Sequence, residues 1–268
     1  MSARGRVPPD AGALPRRRRL LGGGAAAAAL AASGLPGCGW LPRPAGVPLP
    51  VREDRADCGA ADTLLVLLPG RGMALRELAH EGFVQAWRAA GVRADLWRVD
   101  AHQGYYRDRS IVDRLHADIV QPARARGYGR IWLAGISLGG LGALLYAHAH
   151  PQEVAGLLLI APYLGEAATA ADVAAQGGPA RWTPPQAGGD AIGLRAWGAL
   201  KHAVSPPPGP TPLYLAFGVD DRLAPTHRVL AEALPPQRVM TAAGGHDWPA
   251  WRPLWRRLLA QAPLPRCG

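Results

Sequence analysis

The chain has 268 residues and a formal net charge of +10, with 49% hydrophobic and 19% charged residues. This length fits one globular domain with a short appendage, so a second large domain is not expected. The hydrophobic content excludes a wholly disordered chain. A net charge of this size ordinarily favours nucleic acid or an anionic membrane as partner, so its distribution along the chain has to be considered first.

The amino-terminal 37 residues are predicted to be a signal peptide. They carry six arginines against Asp10 alone, which is half of the net charge of the whole chain. An apolar, alanine-rich run over residues 20–32 follows the arginines, and small residues come next. This order of a basic, an apolar and a small-residue region is typical of secretory signals. The apolar run is shorter than the roughly 20 residues that a membrane span needs.

Two further patterns in this region specify the export route. Residues 17–21 resemble a twin-arginine export motif, and residues 35–38 resemble a lipobox in which Cys38 is lipidated. They predict a lipoprotein that contacts the membrane only through a lipid on Cys38 and faces the periplasm or the cell exterior. Pro36 departs from the usual lipobox. Cleavage near residues 29–31, which would leave a soluble exported protein with a plain thiol at Cys38, remains the alternative.

Residues 38–60 are predicted to be a tether, because they are rich in proline and glycine and show no periodic apolar pattern. Besides Cys38, the chain has Cys58 near the end of this segment and Cys267 near the carboxyl terminus. In the oxidising compartment of an exported protein these two residues can form a disulfide. Two unrelated thiols are the alternative.

From residue 61 onward, short apolar strands alternate with helical patterns. The strands read as parallel strands that are buried on both faces. They are expected at 63–69, 92–99, 130–136, 154–161, 212–217 and 237–242, and the helices at 74–90, 108–127, 138–149, 226–234 and 249–262. The alternation predicts an α/β fold with a doubly wound, mostly parallel sheet over residues 61–262, followed by a tail at 263–268.

One interval interrupts this alternation. About 50 residues separate the fourth predicted strand from the fifth, whereas a usual loop has about 2–6. Helical patterns at 166–175 and 192–204 predict a small helical cap at about 165–205 that covers a site. Its alanine, leucine and tryptophan residues favour an apolar pocket. A disordered excursion is the alternative, although two tryptophans argue against it.

A nucleophile motif follows the third predicted strand. The sequence Gly135-Ile136-Ser137-Leu138-Gly139 leads from this strand into an apolar helix. The pattern G-x-S-x-G between a strand and a helix forms a sharp turn that exposes a strained serine, and it needs glycine on both sides because bulk would clash there. The positive end of the following helix favours negative charge at the serine. Ser137 is therefore the predicted nucleophile.

A serine nucleophile needs a basic histidine and an acid that orients it. His246 follows two glycines in a loop after the last predicted strand, so it is the predicted base. Two adjacent carboxylates, Asp220 and Asp221, follow the fifth predicted strand. The spacing of the neighbouring glycine and proline favours Asp221, with Asp220 second. Asp172 and Glu166 are more distant alternatives.

An oxyanion that forms during attack on a carbonyl needs backbone N–H donors. Leu138, directly after the nucleophile, and Arg71, in the glycine-rich loop after the first predicted strand, are the predicted donors. The guanidinium of Arg71 could also attract an acidic substrate, with a merely solvated arginine as the alternative. The pocket candidates are Gly70, Gly72, Met73, Tyr105 and Tyr106. The two tyrosines are equally compatible with core packing.

Ser137, Asp221, His246 and the loop around Gly70 together resemble the α/β-hydrolase family over about residues 61–262. The loop has Pro-Gly-Arg-Gly where many relatives have His-Gly. The resemblance implies the α/β-hydrolase fold with a cap and hydrolysis of a small carboxylic ester or thioester through an acyl-enzyme on Ser137. It implies no metal and no cofactor.

Two other functions stay open at this point. An acyltransferase of the same fold would use an alcohol in place of water, and a lipoprotein could keep the fold but only bind a ligand. Nucleic acid is not expected as a partner, because the arginines after residue 37 are spread over several helices without a basic stripe.

Overall fold

A seven-stranded sheet forms the centre of the protein, with the strands in the order β1-β3-β2-β4-β5-β6-β7. The computed structural model describes residues 43–205 and 211–268, so the predicted signal peptide and Cys38 lie outside the described residues. The strands are β1 Val51–Asp54, β2 Thr63–Leu68, β3 Asp95–Val99, β4 Arg130–Ile136, β5 Gly156–Ile160, β6 Leu213–Gly218 and β7 Val239–Ala242.

Strands β2 to β7 pair in parallel, which confirms the predicted fold class. The central strands β2, β5 and β6 are buried along their whole length, because helices cover both faces of the sheet. The two faces pack against separate apolar clusters. Residues at the carboxyl ends of these parallel strands therefore share one edge of the sheet, where α/β proteins bind ligands.

The prediction that residues 38–60 form a tether is wrong for the part that the structure describes. Residues 51–54 form β1, which pairs antiparallel with β3 at the edge of the sheet. Leu49 is buried, and the guanidinium of Arg43 donates two hydrogen bonds to the carboxylate of Asp100. The sequence Val-Arg-Glu-Asp has no apolar run, because this edge strand has one sheet neighbour and none of its four residues is buried.

The predicted carboxyl-terminal tail is also part of the folded unit. Cys267 forms a disulfide with Cys58, the pairing that the sequence left open. The backbone N–H of Cys267 donates to the carbonyl of Gly91, and Leu264 is buried. The disulfide thus joins the segment before β2 to the end of the chain.

Two helical patterns differ in detail from the predicted ones. The pattern at 74–90 is two helices, because Gly82 adopts a left-handed φ of 82° between them. The pattern at 108–127 contains a π-helical stretch, Leu115–Val120, between two short helices at Ile111–Arg114 and Gln121–Ala125. No helix in the described part of the chain is long and apolar enough to cross a membrane. The helices are α1 Leu75–His80, α2 Phe83–Ala89, α3 Gln103–Arg107, α4 Ile111–Arg114, α5 Gln121–Ala125, α6 Leu138–Ala149, α7 Ala167–Ala175, α8 Ala191–Val204, α9 Ala224–Ala231 and α10 Trp248–Gln261.

Residues 161–205, the described part of the interval before β6 that holds the predicted cap, are folded, as the prediction of a helical cap requires. The segment contains α7 and α8, and its two tryptophans, Trp182 and Trp197, are fully buried. The indole N–H of Trp182 donates to Asp172 at 2.7 Å, and the ammonium of Lys201 donates to the Trp182 carbonyl at 2.7 Å. These contacts anchor the segment, so its exposed residues are held over the carboxyl edge of the sheet.

Candidate active site

Ser137 lies at the sharp turn between β4 and α6, with φ 52° and ψ −112°. Positive φ is rare for a residue with a side chain and marks a strained backbone. A Cβ atom on Gly135 would overlap the backbone of Gly139, and a Cβ atom on Gly139 would overlap the backbone of Leu68. Only glycine fits at these two positions, which is why the motif has this spacing.

The strained turn is held by backbone hydrogen bonds to the end of the neighbouring strand. The N–H of Ser137 donates to the carbonyl of Ile160 at 2.9 Å, and the N–H of Tyr163 donates to the carbonyl of Ser137 at 2.9 Å. Ser137 is therefore fixed from both sides, and its hydroxyl projects at the carboxyl edge of the sheet ahead of the amino terminus of α6.

Ser137, His246 and Asp221 form one continuous chain of hydrogen bonds. The Ser137 hydroxyl lies 2.9 Å from Nε2 of His246, and Nδ1 of His246 lies 2.7 Å from Oδ2 of Asp221. With the proton on Nδ1, the histidine donates to the carboxylate and accepts from the serine. The ring packs edge-on against Trp251 with centroids 5.0 Å apart. The arrangement can move a proton from Ser137 to His246.

The structure separates the two adjacent carboxylates that the sequence could only rank. The side chain of Asp221 is fully buried and bonds to His246. The exposed Asp220 instead accepts a hydrogen bond from the N–H of Gly244 at 3.2 Å, and its own N–H donates to the Gly244 carbonyl at 3.1 Å. Asp220 therefore holds the loop that carries His246. The more distant alternatives, Asp172 and Glu166, belong to the cap.

Asp221 is ionised despite its burial. Removal from water favours the neutral acid and is the largest single effect. The hydrogen bonds from His246 and from the N–H of Leu223, together with the charge of His246, outweigh it and hold the pKa of Asp221 below its ordinary value. A permanent carboxylate at Nδ1 fixes the tautomer of His246 and stabilises the imidazolium that forms when the serine loses its proton.

A cavity of about 990 Å³ opens beside the serine. Ser137, Leu138, Arg71 and Tyr106 line it together, so the two predicted oxyanion donors and one predicted pocket residue belong to the same site as the nucleophile. The cap contributes α8, through Ala191, Ile192, Leu194 and Arg195, and Tyr163 lies between β5 and the cap.

Four of the predicted pocket residues do not line this cavity. Tyr105 is buried against the amino-terminal segment, where its hydroxyl donates to the carbonyl of Gly46 and accepts from its N–H. Met73 folds back so that its sulfur lies 3.1 Å from the N–H of Gly70. Gly70, Gly72 and Met73 therefore shape the loop that presents Arg71 rather than the wall of the cavity.

The cavity wall is mainly apolar, as the sequence predicts, but its composition differs from the prediction in two respects. The cap tryptophans point into the core, and the cavity is lined by five arginines in addition to its apolar residues. Only Arg71 was predicted from the sequence, since the other four are dispersed along the chain. Arg107 and Arg222 directly follow the predicted site residues Tyr106 and Asp221, so their position in the sequence could have identified them. The five are Arg71, Arg107, Arg109, Arg195 and Arg222.

Comparisons with known proteins identify similar folds. A family model described as serine aminopeptidase, S33, matches residues 61–184. Est1E from Butyrivibrio proteoclasticus superimposes with a TM-score of 0.52 at 15% identity, covering 79% of this chain and 91% of that one. The protein has the α/β-hydrolase fold.

Two other solved structures have the same fold as this chain. The esterase domain of a Rhodothermus marinus protein matches with a TM-score of 0.52 at 14% identity, covering 79% of this chain and 89% of that domain. An alpha-beta serine hydrolase homologue from Coxiella burnetii matches with a TM-score of 0.50 at 18% identity, covering 82% and 94%. No curated protein matches the chain in sequence.

A second histidine is buried next to the catalytic elements, although its position in a helix favours a surface location. His227 on α9 is fully buried and its Nε2 donates to the carbonyl of Pro162 at 2.9 Å, while Nδ1 has no hydrogen-bond partner among the described residues. Burial lowers the pKa of His227 to about 4, against smaller raising effects of the Pro162 hydrogen bond and of Asp221, and His246 and Arg228 lower it further. The residue is therefore neutral at pH 7 in the folded protein.

This burial predicts an acid-sensitive fold. Between about pH 6.5 and pH 4 the unfolded chain binds a proton on His227 that the folded protein does not, so stability falls as the pH falls through this range. We expect the unfolding free energy to drop by about 3 kcal/mol more in the wild type than in His227→Gln between about pH 7 and about pH 4. Urea unfolding at the two pH values measures this difference. His80→Gln, at an exposed position, should behave as the wild type, and equal pH dependence in all three proteins would contradict the prediction.

A polar cluster outside the site groups His116, His150 and Glu153. The fold brings their three ligand atoms within 4.8 Å of one another, although the residues come from two separate segments of the chain. The two imidazole rings stack at 6° with centroids 4.5 Å apart, so their nitrogen lone pairs do not converge on one point. Glu153 accepts a hydrogen bond from Tyr146. The cluster therefore ties the π-helical stretch to the end of α6.

Proposed function

We propose that this hydrolase cleaves a carboxylic ester or thioester through a covalent acyl-enzyme on Ser137. The observation that carries the proposal is the unbroken hydrogen-bond chain from Ser137 through His246 to the buried carboxylate of Asp221. Serine is a weak nucleophile until a base accepts its proton, and this arrangement supplies that base in an orientation fixed by the acid.

The first half of the proposed reaction forms the acyl-enzyme. The Ser137 oxygen attacks the carbonyl carbon of the ester while its proton passes to Nε2 of His246. The carbonyl oxygen becomes an oxyanion, which accepts hydrogen bonds from the backbone N–H groups of Leu138 and Arg71. Each such donor stabilises the transition state by about 3 kcal/mol in sites of this kind. The intermediate collapses, the bond to the alcohol or thiol breaks, and His246 returns its proton to the leaving group.

The second half restores the enzyme. His246 accepts a proton from a water molecule, whose oxygen attacks the acyl carbon, and the same two N–H groups receive the second oxyanion. The bond to Ser137 then breaks and its oxygen regains the proton from His246. The products are a carboxylic acid and the free hydroxyl of Ser137. An alcohol in place of water would give a new ester, which is the acyltransferase alternative.

A product assay with nitrophenyl esters of rising acyl chain length tests this function. We expect release of nitrophenol together with free carboxylic acid, and covalent labelling of the native protein by a fluorophosphonate probe. Addition of an alcohol separates the two reactions, since a dominant new ester would identify an acyltransferase. A native protein that releases no nitrophenol and takes up no probe would be the ligand-binding protein that the sequence left open.

We also propose that the hydrolase is exported and held to a membrane by a lipid on Cys38. The signal-like pattern of residues 1–37 supports export, and the Cys58–Cys267 disulfide fits an oxidising compartment. Radiolabelled palmitate should appear on the wild type and disappear in Cys38→Ala. Equal labelling of both proteins, or of neither, would contradict the lipid anchor.

A further inference from the structure

Five arginines converge on the cavity beside the nucleophile from four separate parts of the chain. One lies in the loop after β2, two at the end of α3 and just beyond it, one on the cap helix α8 and one directly after the buried triad acid. They are Arg71, Arg107, Arg109, Arg195 and Arg222. Because the segments are distant in sequence, this positive lining is a product of the fold.

These arginines lack counter-ions. Within residues 43–205 and 211–268, none of the five forms an ion pair or a side-chain hydrogen bond. Seven arginines elsewhere in the described chain do form ion pairs, and they are Arg43, Arg88, Arg98, Arg114, Arg126, Arg130 and Arg252. The guanidinium groups at the cavity are thus available to a ligand.

Nearby carboxylates are turned to other partners. Asp190 accepts hydrogen bonds from the N–H groups of Glu166 and Ile192, and both Asp190 and Glu166 line a different depression, between α7 and α8. Asp108 accepts from the N–H and hydroxyl of Ser110. None of these three carboxylates lines the cavity beside the nucleophile, so the charge that a ligand meets there is positive.

One of the arginines occupies a strained position in a structured turn. Arg109 adopts φ 64°, a left-handed conformation that is rare for residues with side chains. The two hydrogen bonds from Ser110 to Asp108 close the turn around it, at 3.0 Å from the N–H and 2.6 Å from the hydroxyl. The local backbone is therefore fixed around a residue whose side chain lines the cavity.

We infer that the substrate of this hydrolase carries an anionic group, a carboxylate or a phosphate, besides the ester that Ser137 attacks. Planar guanidinium groups match the oxygens of both anions in paired hydrogen bonds. Leu138, Ile192 and Leu194 supply apolar wall in the same cavity for the aliphatic or aromatic part of the molecule. The inference rests on the proposed function, since it names the substrate class of the same site.

The expected size of the preference for an anionic substrate follows from the solvent exposure of the five arginines. The five arginine residues are exposed at the mouth of the cavity, where a charge pair is worth a factor of about 2 to 5 in affinity and the summed field raises the local concentration of anionic substrate. Raising the ionic strength from about 0.1 M to about 1 M shortens the Debye length from about 10 Å to about 3 Å, so the preference should fall with salt.

The experiment compares two esters that differ in charge. Mono-p-nitrophenyl adipate carries a terminal carboxylate, and p-nitrophenyl hexanoate has the same chain length without it. We expect a kcat/KM ratio of anionic to neutral ester of about 10 at low salt, falling about threefold in each of Arg107→Gln, Arg109→Gln and Arg195→Gln. Arg52→Gln, at an exposed position on β1, is the matched control and should leave the ratio unchanged. Competition by hexanoate and by hexyl phosphate shows which anion binds more tightly.

A second readout does not depend on turnover. Adipate should protect Ser137 from a fluorophosphonate probe more strongly than 1,6-hexanediol does, and the protection should weaken in the arginine variants. A ratio at or below one, or a ratio that the three variants leave unchanged, overturns the anionic substrate. If the ester pair is not hydrolysed, equal protection by the diacid and the diol overturns it. Failure of the native protein to react with the probe at all would instead refute the proposed function.

Discussion

Ser137→Ala is expected to lower kcat for ester hydrolysis by roughly 10⁴- to 10⁶-fold. The variant lacks the only atom that attacks the carbonyl in the proposed reaction, while the oxyanion donors and the cavity remain. Residual hydrolysis by water held in the site is therefore the most that it can support. Steady-state kinetics with a nitrophenyl ester, together with fluorophosphonate labelling, measure the effect.

The matched control is Ser205→Ala, which removes a hydroxyl at the carboxyl end of α8 rather than at the sharp turn between β4 and α6. It should keep both activity and labelling. Thermal unfolding should show both variants folded, because alanine has no more bulk than serine at either position. Probe labelling of Ser137→Ala equal to that of the wild type would show that another residue is the nucleophile.

Asp221→Asn is expected to lower kcat by about 10⁴-fold, because an amide in this position favours the wrong tautomer of the histidine and cannot stabilise its positive charge. Asp220→Asn provides a matched comparison one residue away. Asp220 only accepts an exposed hydrogen bond from Gly244, so its replacement should cost less than about tenfold. Kinetics of the two variants with one ester give the comparison directly.

A proton resonance of His246 provides a second comparison of Asp221→Asn with Asp220→Asn that is specific to the triad. The Nδ1 proton of His246 lies in a 2.7 Å hydrogen bond to the carboxylate of Asp221, so its low-field proton resonance should be lost in Asp221→Asn and kept in Asp220→Asn. A large loss of activity in Asp220→Asn with little in Asp221→Asn would reverse the assignment of the acid.

The elements with a local sequence signature were predictable. The buried parallel strands are continuous apolar runs, because helices cover both faces of the sheet. The sharp turn at Ser137 was predictable because the close approach of Gly135 and Gly139 to neighbouring backbone leaves no room for any other residue. The edge strand β1 was missed because none of its four residues is buried and they therefore carry no apolar pattern.

The sequence by itself determined the alternation of parallel strands with helices, the strained serine and the glycine loop that carries His246, since each depends on neighbours along the chain. Only the tertiary structure decided which of two adjacent carboxylates is buried against His246, that Cys58 meets Cys267, and that the pocket is lined with arginine. Adjacent aspartates have the same local chemistry, and the direction in which each side chain leaves a turn is set by packing across the sheet edge. The arginines come from four distant segments, so their shared charge appears only when the parallel strands bring those segments to one edge.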